Sequence, residues 1–302
     1  MRPVVVVPAY NEASTVGDVV AGARRHATVV VVDDGSTDAT AAVGRAAGGD
    51  VVRHRARLGK GQALRSGIAA ARARGATHVV TLDGDGQHDP LDLPAVLEAM
   101  RQHPRALVIG RRCDVDGTGL SRGRAHAIRV AGFFANWATG RQVVDTQSGF
   151  RVYPLAIFED VHPRSGGFVF ETEVLLDAAT RGWDVIEVDV RARPRATQRS
   201  RFRPLVDGVR IGSCLGRRVT ARWVSEAVAA MRETPALTHG DFVSGRIHHP
   251  RVRRAALAAR ATIAMPLLVA AAVAQALVPW GRVDVVRPVI ERFYSQTRLG
   301  SV

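Results

Sequence analysis

The sequence predicts an α/β fold, a mostly parallel sheet with helices on both faces. Three observations carry that expectation. The first half alternates apolar runs of four or five residues with helix-length amphipathic stretches; the connections between them are short; and the apolar runs end in acidic residues and glycines. Parallel α/β sheets hold ligands beyond the carboxyl ends of their strands, so those acidic loops are expected to open on one edge.

The elements follow in order. Val4 to Val7 reads as a strand, and Ser14 to about His26 as a helix with Ser14 as candidate N-cap. Val29 to Val32 is the second strand; after Asp33, Asp34 and Gly35 a helix from about Thr37 ends at Gly48 and Gly49, where a left-handed cap suits glycine. Val51 to His54 is a short third strand. Lys60 to Arg74 is helical and stops at Gly75, and Val79 to Leu82 is the fourth strand. Pro90 to His103 is a helix with Asp89 as N-cap and proline at its first position, which makes Asp89 a cap and not a ligand. A strand at Leu107 to Ile109 follows.

The stretch VVTLDGDGQHDP, residues 79–90, places Asp83 and Asp85 two positions apart after a strand. In extended backbone such residues share a side, and two carboxylates held close repel unless a cation or proton lies between them. On the same edge are Pro8, Tyr10, Asn11 and Glu12, then Asp33 and Asp34, then Gly59, Lys60 and Gly61 at a helix start that suits an anion. Together these residues describe a nucleotide pocket with a divalent cation. Individually, Tyr10 is also compatible with packing and Asp34 with capping of the helix that follows.

PAYNE, VVDDGS, LGKGQAL and LDGDGQ, in that order, resemble the motifs of a family 2 glycosyltransferase of the GT-A fold. DTQSGFRVY (145–153), GGFVFETEVLL (166–176) and IEVDVRARPRATQRSRF (186–202) resemble the branch of dolichyl-phosphate mannose synthase and the bacterial polyprenyl-phosphate glycosyltransferases. The resemblance runs from about Val4 to about Gly212. It implies that Pro8, Tyr10, Glu12 and Asp33 hold the nucleoside, with Lys60 and Asp83 also on the nucleotide side. It also implies that Asp83, Asp85 and Gln87 hold Mg²⁺ or Mn²⁺ on the sugar-nucleotide diphosphate. A hard, oxygen-ligating cation suits that set.

The acceptor decides the reaction. A hydroxyl acceptor requires a carboxylate to take its proton, whereas a phosphate is already ionised and requires positive charge to hold it. By resemblance to the lipid-phosphate branch, Arg111 or Arg112, Arg122 or Arg124, and Ser148 contact an acceptor phosphate; Arg199, Ser200 and Arg201 stand where the branch often has a glycine and lysine that this chain lacks. Asp145 and Glu173 are the candidate bases for a hydroxyl acceptor. The expectation is an inverting transfer of a hexose from GDP-mannose or UDP-glucose to a polyprenyl phosphate. The alternative is transfer to a saccharide hydroxyl in cell-envelope polysaccharide synthesis.

The extent of the resemblance implies a catalytic part at 1–212, leaving a basic helical appendage at 213–302 that includes a candidate membrane-associated or transmembrane segment. The net charge is +14, yet residues 1–120 carry 15 basic and 13 acidic side chains while residues 191–260 carry 16 and 4. Such a block attracts anionic lipid, nucleic acid or phosphate, and taken without other context it also reads as a solvated face. Nucleic-acid binding would leave the four acidic loops unexplained, and the basic segment has few aromatic residues for base stacking. Residues 204–232 have near-helical apolar spacing that fits a membrane interface or a helix packed on the sheet. Residues 261–278 are 18 uncharged residues, open to spanning, re-entrant or soluble hairpin readings. The amino-terminal run of four valines is too short for a signal-peptide core, so the expected location is the cytoplasmic face of the membrane, peripheral or single-pass. Cys113 and Cys214 form no zinc or disulfide pattern, and His248 and His249 are expected at the surface.

Overall fold

The structure, a computed structural model, describes residues 1–112, 132, 135, 136, 139, 143–191, 207–218, 220 and 221. The chain divides into two compact units, one of Met1–Ser121 with Ala131–Leu215 and one of Arg122–Val130 with Gly216–Val302. The first contains a seven-stranded sheet. Its strands are β1 (Pro3–Ala9), β2 (Thr28–Asp33), β3 (Asp50–Arg53), β4 (His78–Thr81), β5 (Leu107–Arg112), β6 (Arg151–Pro154) and β7 (Val185–Val190), in the order β3-β2-β1-β4-β6-β5-β7. All pairings are parallel except the two made by β6, which runs antiparallel to both β4 and β5. The carboxyl ends of six strands and the start of β6 therefore meet on one edge, as the acidic loops required.

Valine runs make these strands because both faces of the sheet are covered. Along β1 the side chains alternate: Val4 and Val6 enter one core, Val5, Val7 and Ala9 the other. The helices are α1 (Val16–Arg24), α2 (Thr40–Ala46), α3 (Lys60–Ala73), α4 (Leu93–Gln102), α5 (Ile157–Asp160) and α6 (Val169–Thr180). Apolar residues of α3, α5 and α6 fill the first core; those of α1 and α4 fill the second, with Val43 of α2 packed against it.

Local signals worked where the partner lay a few residues away. Asp89 accepts the Leu91 amide at 3.0 Å, Pro90 opens a 3₁₀ turn, and α4 follows from Leu93. Gly48 has φ 86° and closes the turn after α2, its N–H bonded to Arg45 O. Two expectations are corrected. Helix α1 begins at Val16, two residues after Ser14, with Thr15 at the N-cap position; the Thr15 hydroxyl donates to Gly84 O at 2.7 Å and so ties the first loop to the fourth. Asp34 does not cap α2: its carboxylate accepts the amides of Leu58 and Gly59 at 2.9 and 2.7 Å and meets His54 Nδ1 at 2.8 Å. Helix α2 starts only at Thr40, out of reach of a capping bond from Asp34.

One close approach fixes α3 on the sheet. A Cβ on Gly67 would stand 2.2 Å from Val6 Cγ1, inside any real contact distance. Gly67→Ala gains about 1 kcal/mol of helix propensity, while overpacking costs about 1–3 kcal/mol, and so close an approach to Val6 puts it at the upper end of that range. Urea unfolding is expected to show a net loss of stability; a net gain would show that α3 does not press on Val6.

Candidate active site

The edge is organised first by backbone-directed bonds between loops. Asn11, with φ 51°, accepts Thr37 N–H at 2.8 Å while its own N–H donates to Ser36 Oγ at 2.8 Å. Glu12 N–H donates to Thr40 Oγ1 at 2.7 Å. Asp33 is fully buried: Oδ1 accepts Ser36 N–H at 3.0 Å and Oδ2 lies 3.1 Å from Arg53 Nε. Pro8 O receives Gly84 N–H at 3.4 Å, and the Tyr10 ring stacks under the Arg57 guanidinium, 4.5 Å from Cζ to centroid. The loops after β1, β2 and β4 are thus one bonded unit, and Arg57 from the loop after β3 covers Tyr10. Pro8, Tyr10, Glu12 and Asp33 belong to it, though Asp33 presents no exposed surface to a nucleoside.

At its centre is an ion cluster. Lys60 Nζ lies 2.8 and 3.1 Å from the two oxygens of Asp83 and 3.1 Å from Glu171 Oε2. The three come from the start of α3, the loop after β4 and the first turn of α6. Burial opposes the Lys60 charge, but the Asp83 and Glu171 carboxylates outweigh it and hold the ammonium well above its ordinary pKa. Burial likewise opposes ionisation of Asp83, yet Lys60, then His88 and Arg112, bring its carboxyl below the usual range. For Glu171 burial prevails over Lys60 and raises the pKa. A Cβ on Gly149 would lie 2.4 Å from Asp83 Oδ2 and 2.9 Å from Lys60 Nζ, so any side chain there would push on the charged ends of the cluster. Asp85 Oδ1 accepts Gln87 N–H at 3.0 Å. Among the described residues no three His, Cys, Asp or Glu side chains form a preformed cation cage. The donor chemistry nevertheless fits a hard cation: the two carboxylates and the Gln87 side-chain carbonyl offer oxygen, although Lys60 now occupies both oxygens of Asp83.

A second ion pair borders the first. Arg112 Nε and Nη2 donate to Asp145 Oδ2 and Oδ1 at 2.7 and 2.9 Å, a bidentate pair that is largely buried. Burial opposes the Asp145 charge, and the Arg112 hydrogen bonds more than compensate, holding its carboxyl below the usual range. Arg111 meets Asp189 at 2.5 Å. Neither arginine extends freely towards an acceptor. Asp145 is committed to Arg112 and Glu173 Oε2 accepts the amides of Arg164 and Ser165 at 3.0 and 2.7 Å, so both expected bases have structural partners.

Ser148 is fully buried, its Oγ accepting Phe150 N–H at 3.3 Å. Arg151, also fully buried, donates to the carbonyls of Ser148, Glu171 and Thr146 at 2.8, 2.7 and 2.7 Å, and is a strut and not an acceptor contact. Arg122, Arg124, Arg199, Ser200, Arg201, Cys113, His248, His249 and residues 261–278 lie outside the described residues. Sequence reasoning missed Glu171 and chose Glu173. The signal was present: 171, 175 and 178 share one helical side, and Leu175 and Ala178 are core residues, so Glu171 is a carboxylate on an apolar stripe.

Comparison with known proteins agrees with this architecture. The family model described as Glycosyl transferase family 2 matches residues 4–161, more than half of the chain. Glycosyltransferase AglJ of Haloferax volcanii is 31% identical over 193 residues, a match that spans 63% of this chain and just under two thirds, 63%, of that protein. Polyprenol monophosphomannose synthase of Mycolicibacterium smegmatis is 28% identical over 204 residues, 63% of this chain and 76% of the relative. Among solved structures, glucosyl-3-phosphoglycerate synthase of Mycobacterium tuberculosis in complex with Mn²⁺, uridine diphosphate and phosphoglyceric acid superposes with a TM-score of 0.55. It is 25% identical and covers 72% of this chain and 78% of that one. The ordered loops on the sheet edge, the GT-A-like architecture and the family match have one reading: the chain belongs to glycosyl transferase family 2, with polyprenyl-phosphate sugar transferases among its relatives.

Proposed function

We propose that this chain transfers a hexose, with inversion, from GDP-mannose or UDP-glucose to a polyprenyl phosphate at the cytoplasmic face of the membrane. The observation that carries the choice of a phosphate acceptor is the commitment of Asp145 to Arg112 and of Glu173 to two backbone amides. A hydroxyl acceptor needs a base, and the two carboxylates the sequence offers for that task are engaged; an ionised phosphate needs none. This disfavours transfer to a saccharide hydroxyl. The M. tuberculosis neighbour, solved in complex with phosphoglyceric acid, supports a second reading in which the acceptor is a small soluble phosphate.

In this reading the bonded loops around Pro8, Tyr10, Glu12 and Asp33 receive the nucleoside, with Arg53 and Arg57 moving as it enters. Asp83, Asp85 and Gln87 would hold Mg²⁺ or Mn²⁺, which neutralises the charge growing on the departing diphosphate. Lys60, at the amino end of α3, adds a second positive group beside Asp83. Arg122 and Arg124 are the candidates to supply positive charge to the incoming phosphate, and Ser148 holds its own turn through the Phe150 amide. Residues 213–302 bring the catalytic unit to the lipid surface as a peripheral or single-pass element. Among the described residues no helix is long and apolar enough to cross a membrane.

Offered radiolabelled GDP-mannose and UDP-glucose in turn with Mn²⁺, the purified chain should move one label into organic solvent only when polyprenyl phosphate is present. Label passing instead to phosphoglyceric acid would favour the soluble acceptor. Asp85→Ala is expected to lower metal-dependent turnover by about 10²-fold or more while circular dichroism and the melting midpoint stay unchanged; retained turnover would remove the metal assignment. Arg122→Ala with Arg124→Ala should raise KM for the lipid phosphate about tenfold or more and leave KM for the donor within about twofold. Equal kinetics would remove the acceptor assignment.

A further inference from the structure

Lys60 is the only lysine in the chain; all the other basic residues among its 42 Lys and Arg side chains are arginine. A composition that uses arginine everywhere else has an ammonium at the one position where it is shared by two carboxylates. Asp83 Oδ1 and Oδ2 lie at 2.8 and 3.1 Å and Glu171 Oε2 at 3.1 Å. An ammonium is a compact point charge with three donors that turns among acceptors by small rotations, whereas a guanidinium is a broad planar fork. The space is confined: the Gly149 backbone closes one side and the Phe168 ring stands 5.5 Å from Nζ on another.

Resting on the function proposed above, we propose that Lys60, Asp83 and Glu171 form a partner-exchange latch that makes binding of the divalent cation depend on the nucleotide. In the free chain Lys60 occupies both oxygens of Asp83, so a cation arriving alone meets a carboxylate already neutralised. A nucleoside diphosphate supplies new acceptors for the ammonium. Lys60 then leaves Asp83 for a phosphate oxygen, Glu171 keeps it within the pocket, and Asp83 is freed for the cation. Glu171 acts here as a positioning residue. Its remaining oxygen, Oε1, is buried with no hydrogen-bond partner among the described residues, so the ammonium is the group to which it is bound. The exchange involves no bond making and no proton transfer.

A single lysine makes the test direct. The chain labelled with ¹⁵N at lysine Nζ has one side-chain ammonium resonance. Mg²⁺ alone should leave it in place, and Mg²⁺ with UDP or GDP should move it. A shift as large with Mg²⁺ alone, or none while calorimetry shows the nucleotide bound, overturns the latch and leaves the glycosyltransferase reading standing. If calorimetry shows no binding of either nucleotide, the function proposed above falls and the latch falls with it. Binding of Mn²⁺ without nucleotide, read by electron paramagnetic resonance, should be about tenfold tighter or more in Lys60→Met and weaker in Glu171→Gln. A Lys60→Met affinity within about twofold of the unaltered chain also overturns the proposal.

Discussion

One ammonium group joins three elements that are remote in sequence. Lys60 stands at the first position of α3, Asp83 in the loop after β4, and Glu171 in the first turn of α6. A buried ion pair contributes little net stability when complete, but removing one partner costs roughly 3–5 kcal/mol because a charge remains stranded. The cluster therefore constrains the edge more than it stabilises the fold. It ties α3, the loop after β4 and α6 together, and a side chain at residue 149 would displace its charged ends. The sheet supplies the stability through two valine-rich cores, and the cluster sets where the chemistry lies upon it.

Around that point the edge is arranged as graded layers of charge. Lys60 shares two acids, Arg112 is matched bidentately to Asp145, Arg111 to Asp189, and Arg151 is neutralised by three carbonyl dipoles. The buried guanidinium groups of Arg112 and Arg151 have fixed partners, so their geometry is set before any ligand arrives; such preorganisation is what electrostatic catalysis requires. Arg57 and Arg53, by contrast, are exposed side chains resting on Tyr10 and Asp33. Exposed pairs of that kind are weak and readily exchanged, which suits the entry side of a nucleotide pocket.

The contrast between Asp89 and Asp34 shows what a sequence can and cannot disclose. Asp89 bonds to an amide two residues on, and Pro90 beside it fixes the backbone, so the cap was legible. Asp34 looked equally local, but its acceptors were drawn to Leu58, Gly59 and His54 across β3. The same distinction separates Glu173 from Glu171. Both lie in α6; which of them faces Lys60 depends on how α6 is rotated against α3, and that is fixed by Phe170, Leu175 and Ala178 entering the core.

The sequence by itself determined the strand and helix rhythm, the parallel order that sends every acidic loop to one edge, and the family motifs PAYNE, VVDDGS, LGKGQAL and LDGDGQ. These depend on periodicity and on turn chemistry within a few residues. The tertiary structure alone decided the partners: Lys60 with Glu171, Arg112 with Asp145, Arg151 with three carbonyls. The last two exist because β6 inserts antiparallel between β4 and β5 and carries the 145–151 turn into the edge, and the first because α6 packs against α3. In an unfolded chain a charge meets its near neighbours in sequence most often, and only the packed sheet holds it against one remote partner.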